Sequence, residues 1–319
     1  MRCPKCGNDA RKKLRDAAGG RCPNCEYRFV TDPSKDGLTD MMVKHAEDVV
    51  SGNGTYYFLP KQLEYQLYRT CQRKQRTSVS GSAVSLILSF VTFILGYSVS
   101  PYFLLFSVIS FIAFVIVTLN SSTSHTLPLS VLHKVVQKWT AANPHAKLIS
   151  NKQHQFNSDN SHLEEVSFDR VLVCDKNETV NFFLENLFHF HYSCPVLGGN
   201  GYPDSMYRDM LRRLKGNPNL KVFLLHDYSP KGSAFVSKMT TDRNWFGDRQ
   251  YQIIDLGLNA TQKEALFKFM TIAEGEYETA EVALFSPATL IQLCGAAINE
   301  EVPLEQVVMH DQSGSGGYG

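Results

Sequence analysis

Four cysteines open the chain, as Cys3-Pro-Lys-Cys6 and Cys22-Pro-Asn-Cys25. Tetrahedral zinc takes thiolates at about 2.3 Å, and a C-x-x-C turn presents two sulfurs from one tight knuckle. Gly7 follows the first pair, where such a turn favours a positive φ. All four ligands are cysteine, so no coordination position is left open for catalysis and the metal reads as structural. The competing reading is a redox or disulfide pair. Cys71, Cys174, Cys194 and Cys294 show no pairing pattern that would favour it. A second set of candidates is acidic. Asp175 and Glu178 follow the apolar run Arg170–Cys174, and Asp227 follows Lys221–Leu225. Carboxylate oxygens are the donors a hard cation such as magnesium requires. An aspartate placed just after a strand also caps the next helix, and that alternative stands beside the metal.

These residues need elements to hold them. With 319 residues the chain is long enough for two or three domains, and its net charge of +1 gives no global field for an acidic partner. The cysteine module occupies residues 1–30. It is locally basic, with Arg11, Lys12, Lys13 and Arg15 between the knuckles and Arg21 and Arg28 beside the second. Such a footprint suits nucleic-acid phosphates, a protein partner or plain solvent. Residues 36–76 read as a small helical or winged-helix-like segment: helix, Gly-rich turn at Ser51–Gly54, strand at Thr55–Leu59, then a helix opened by Pro60.

No Asp, Glu, Lys or Arg occurs from Thr77 to His133. Two apolar runs in this stretch approach the roughly 20 residues of a spanning helix. The expectation is a two-span transmembrane hairpin over residues 80–120. Flanking Lys and Arg place both termini in the cytoplasm and make membrane lipid a partner. A reducing cytoplasm would also keep the thiols free for zinc.

Residues 127–311 read as an α/β domain. Strand-like runs at Arg170–Cys174, Cys194–Leu197, Lys221–Leu225 and Gln252–Leu256 alternate with helical patterns, including Asn177–Phe190 and Asp204–Leu214. That alternation predicts a Rossmann-like parallel sheet with flanking helices, whose sites lie at the carboxyl ends of the strands. Residues 312–319 are Gly/Ser-rich and predict a disordered tail.

Two resemblances add to this. Cys-Pro-Lys-Cys-Gly, a basic stretch, then Cys-Pro-Asn-Cys-Glu-Tyr-Arg-Phe resembles a zinc ribbon. The region from Asp169 to Phe235 resembles the Toprim domain of the branch that includes the catalytic subunit of type IIB topoisomerases. Three features carry that likeness: an acid closing the first strand, Gly-Gly-x-Gly-x-Pro after the second, and Asp-x-Ser-Pro-x-Gly after the third. The resemblance implies magnesium held by a glutamate and an Asp-x-Asp pair. Here Asp175 stands for the glutamate, with Glu178 as substitute, and Ser229 replaces the second aspartate. The upstream helix offers only Tyr65 and Tyr68 as nucleophiles. The domain therefore reads as a degenerate Toprim fold.

Two functions follow. One is a membrane-anchored zinc protein whose Toprim-like domain binds or scaffolds nucleic acid or a protein partner, a second copy of the chain among them, with little catalysis. The other is a tethered magnesium-dependent nuclease or phosphoryl-transfer enzyme using Asp175, Glu178 and Asp227. Losing a carboxylate at Ser229 favours the first.

Overall fold

A computed structural model describes residues 1–71, 112, 127–149, 168–217, 219–246, 251–259, 272–274 and 277–304. The chain divides into two compact units, Met1–Ala46 with Glu64–Asn143, and Glu47–Leu63 with Pro144–Gly319.

The first unit begins with two copies of one turn, 19 positions apart. Cys3 N–H donates to Asn8 O and Gly7 N–H to Cys3 O; Cys22 N–H donates to Tyr27 O and Glu26 N–H to Cys22 O. Gly7 (φ 73°) and Glu26 (φ 59°) take the same left-handed position. Antiparallel bridges Arg2–Asp9 and Arg21–Arg28 close the two loops alike. Helix α1 (Lys12–Ala17) links them, and α2 (Pro33–Asp36) and α3 (Asp40–Val50) follow. Asp40 is wholly buried and ties the second knuckle down. Its carboxylate accepts from Tyr27 Oη at 3.0 Å, Val30 N at 2.9 Å, Thr31 N at 2.8 Å and Thr31 Oγ1 at 2.6 Å. Residues 60–71 are helical. In α4 (Leu129–Ala142) the buried residues Leu132, Val135, Val136 and Trp139 recur at helical spacing along one face.

The hairpin expected at residues 80–120 requires correction. Apart from Ile112, that segment lies outside the described residues, and among those that are described no helix is long and apolar enough to cross a membrane. The reason is length and pattern. A span needs about 20 apolar residues. The long helices bounded within the described residues stop at 14, and α4 carries Lys134, Gln137 and Lys138. The integral-membrane localisation, its cytoplasmic orientation and the lipid partnership fall with the hairpin. The tail at 312–319 also lies outside the described residues.

The second unit is built on a four-stranded parallel sheet, β1 (Arg170–Cys174), β2 (Val196–Gly198), β3 (Lys221–Leu225) and β4 (Gln252–Asp255), in the order β2-β1-β3-β4. The β1–β3 register runs from Arg170↔Lys221 to Cys174↔Leu225, so both strands end level. Their residues are apolar almost throughout, as in a strand covered on both faces. On one face Val171, Val173, Leu197, Val222 and Leu224 form a core with Met210 and Leu214 from the helix after β2, Met239 from the helix after β3, and Trp245. The opposite-facing Leu172, Cys174, Phe223 and Leu225 are equally buried.

The intervening helices are α5 (Asn177–Glu185), α6 (Phe188–His191), α7 (Asp204–Gly216), α8 (Pro230–Thr241) and α9 (Arg243–Phe246). The single helix expected over Asn177–Phe190 is broken by Leu187, which takes φ 56°. A short antiparallel hairpin, β5 (Ile272–Glu274) and β6 (Tyr277–Thr279), leads to a 3-10 turn at Val282–Leu284 and to α10 (Pro287–Glu300). The strand expected at Thr55–Leu59 reduces to one bridge, Phe58 to Leu148.

Candidate carboxylate site and cysteine cluster

Because β1 and β3 end level, the residues that follow them meet. Asp175 N–H donates to Leu225 O at 3.1 Å, and Asp227 N–H donates to Asp175 Oδ2 at 3.3 Å. The two aspartates expected to share a site therefore do lie together. Burial, and then the neighbouring Asp227, push the Asp175 carboxyl up to about 6.

Asp227 is buried and fully engaged. Its Oδ1 accepts from Val282 N at 2.7 Å, and its Oδ2 pairs with the Lys176 ammonium. Tyr228 and Ala280 exchange both backbone hydrogen bonds at 2.8 and 3.0 Å, which holds the Val282 segment against the end of β3. Glu178, in the first turn of α5, stands 4.0 Å from the same ammonium. That ammonium links it to Asp227. Ser229, at the position of the second aspartate in the Toprim pattern, caps α8: its hydroxyl oxygen accepts from Gly232 N at 3.0 Å.

Beneath these groups lies His226, 6% exposed. Nδ1 is 2.8 Å from Asp227 O and Nε2 is 3.1 Å from Asp255 Oδ1. Both partners are acceptors, so the ring satisfies both only as an imidazolium. Burial pulls the pKa of His226 down, but the Asp255 carboxylate and the Asp227 carbonyl outweigh it and the net is raised. Gly257 and Gly232 leave room for this ring. A Cβ on Gly257 would stand 2.0 Å from His226 Nε2, and one on Gly232 2.0 Å from Asp227 O.

Magnesium fits this set poorly. Both oxygens of Asp227 are committed, Ser229 offers a neutral capping hydroxyl, and Asp175 gives one oxygen to a backbone N–H. Among the described residues the acids do not form a group of three close enough to share an ion. The cysteines do. Sγ of Cys3, Cys6, Cys22 and Cys25 all lie within 4.8 Å of one another, with Cys3–Cys25 at 3.5 Å and Cys6–Cys22 at 3.7 Å. Tetrahedral bonds of about 2.3 Å require sulfur separations of about 3.8 Å, so this cluster fits zinc with little movement.

Lys176 and Glu281 were not among the residues singled out from sequence. Lys176 had one signal: a cation directly between two candidate acids. Glu281 had none, since only the fold brings it back from beyond β6.

Residues 170–247 match the family described as the Toprim domain of Spo11 and of the A-type subunit of topoisomerase 6. Meiotic recombination protein SPO11-4 of Oryza sativa subsp. japonica is 37% identical over 67 residues, which is 21% of this chain and 14% of that protein. The chain therefore spans a small part of the relative it matches. No solved structure matches. The parallel sheet, its strand-end acids and the matched residues agree: the C-terminal domain of this chain is Toprim-like.

Proposed function

We propose that the protein binds nucleic acid through a Toprim-like domain with little or no cleavage activity, and that its four N-terminal cysteines hold one structural zinc. The observation that carries the first part is the state of Asp227. A carboxylate with one oxygen on a backbone N–H and the other on an ammonium already has its charge balanced, and a dication would have to compete with that ammonium for it. Ser229 in its capping role removes the remaining anionic ligand. Support for nucleic acid comes from the recombination protein it resembles in this region and from exposed cations. Arg208, Arg212 and Lys215 are exposed along α7, and Arg11, Lys12 and Lys13 in the cysteine module. Such cations bind phosphates in a salt-dependent way without reading sequence.

The second reading, a magnesium-dependent nuclease, is favoured by one fact, the convergence of Asp175 and Asp227. Titrating the full chain with magnesium while following cleavage of a labelled duplex separates the two. Retention of the duplex without products supports binding. Magnesium-dependent products that vanish in Asp227→Ala support the enzyme. Ser229→Asp is the complementary variant, since aspartate also caps helices; it should strengthen metal binding.

A further inference from the structure

Lys176 lies between Asp175 and Glu178 in sequence, and its ammonium lies among carboxylates in space. It pairs with Asp227 Oδ2, stands 3.4 Å from Glu281 Oε1, and is 4.0 Å from Glu178 Oε1. The same Glu281 oxygen pairs with Lys61. The three acids reach this nitrogen from separate places: the end of β3, the approach to the 3-10 turn, and the first turn of α5. The Lys176 side chain is 34% exposed and that of Asp227 9%, so the pair is shielded from water on its acidic side. Burial by itself would pull the lysine down. Asp227, Glu281 and Glu178 outweigh that and raise it, so the ammonium stays charged.

A dication entering between Asp175 and Asp227 would have to displace a positive charge anchored by the backbone next to Asp175. It would also have to give up hydration water for oxygens that already have partners. Removing the ammonium takes away the competing positive charge and frees Asp227 Oδ2, leaving Asp227, Glu178 and Glu281 with one cation fewer.

We propose that the Lys176 ammonium is the resident cation of this carboxylate cluster, balancing its charge where a Toprim-like fold would otherwise employ a divalent metal. The inference rests on the low-cleavage reading above and adds its cause. It makes the site an internal ion-pair network that closes without metal, and it makes Lys176 the residue that keeps metal out.

The test is magnesium binding by calorimetry and thermal melting on the full chain, with zinc content held equal. Wild type is expected to show no saturable uptake below about 10 mM magnesium. Lys176→Met is expected to gain saturable binding and a metal-dependent rise in Tm of several degrees. Lys176→Met with Asp227→Asn should lose that gain, and Lys176→Arg should behave as wild type. Saturable magnesium binding by wild type that Asp227→Asn abolishes would overturn the proposal. So would a folded Lys176→Met protein indifferent to magnesium. Should Lys176→Met fold poorly, rescue of its folding by magnesium supports the proposal and failure of magnesium to rescue it counts against. Nucleic-acid retention by the wild-type sample in magnesium-free buffer reports on the underlying reading separately: metal uptake with retained binding sinks the Lys176 assignment alone, and lost retention sinks nucleic-acid binding alone.

Discussion

Asp175 accepts the backbone N–H of Asp227 at 3.3 Å, joining the carboxyl ends of β1 and β3 through one side chain and one peptide. The position has a cost that this hydrogen bond only partly offsets. Burial and the neighbouring Asp227 push the Asp175 carboxyl up to about 6, above its ordinary 3.8. An acid with a raised folded pKa destabilises the fold when ionised. The penalty is fully present above about 6 and is relieved as pH falls toward 3.8. Asp175→Asn keeps an oxygen for the Asp227 N–H and removes the charge. It should stabilise the domain at pH 7 by roughly 1–3 kcal/mol. Urea unfolding of both forms checks this, and a less stable variant at neutral pH would refute it.

Gly257 packs on the His226 ring, and a Cβ there would stand 2.0 Å from Nε2. The ring is held by Asp255 on one side and the Asp227 carbonyl on the other, so it cannot move without breaking a buried hydrogen bond. Gly257→Ala should cost about 1–3 kcal/mol. A thermal melt unchanged from wild type would show that the ring is not confined as described.

His189 is 4% exposed, and its Nδ1 has no hydrogen-bond partner. Burial, and to a lesser degree His191, push it down to about 4 from its ordinary 6.5. The unfolded chain therefore takes up this proton first as pH falls. Stability from the neutral ring is complete above 6.5 and is lost progressively toward 4, by roughly 1–2 kcal/mol near pH 5. His189→Leu should flatten this part of the stability profile. Equal slopes for the two proteins between about pH 6.5 and 5 would contradict the assignment.

In the cysteine module Glu26 holds φ 59° where the equivalent residue of the first knuckle is Gly7. Glu26→Gly should relieve strain and stabilise the module by about 1 kcal/mol. Cys22→Ser should do the opposite: lower the bound zinc from one per chain and loosen residues 1–30 while the parallel sheet stays folded. Elemental analysis and hydrogen exchange read these effects. Chelator-free protein without zinc would sink the metal assignment.

The strand-end chemistry was legible because β1 and β3 are short, apolar and bounded by charges. Arg170–Cys174 and Lys221–Leu225 were read with the bounds the structure shows. Leu187 was not legible as a helix break, because its left-handed φ occurs without glycine or proline to announce it. Lys176 carried no sequence signal beyond its place between two candidate acids. Its role depends on Glu281, over a hundred positions away, which only the pairing of Tyr228 with Ala280 brings near. The 19-residue repeat was equally hidden, since beyond Arg-Cys-Pro-x-Cys its two copies share hydrogen bonds rather than residue types. The expectation of a membrane hairpin came from hydropathy alone. Apart from Ile112 the run lies outside the described residues, and no described helix is long and apolar enough to cross a membrane.

The Toprim-like domain is proposed to hold nucleic acid without cutting it. The most direct measurement is a combined binding and cleavage assay with the full chain and a labelled duplex, with and without about 5 mM magnesium, at two salt concentrations. Retention should weaken as salt rises, show no dependence on magnesium, and yield no cleavage products. Efficient cleavage that requires magnesium and disappears in Asp227→Ala would contradict it.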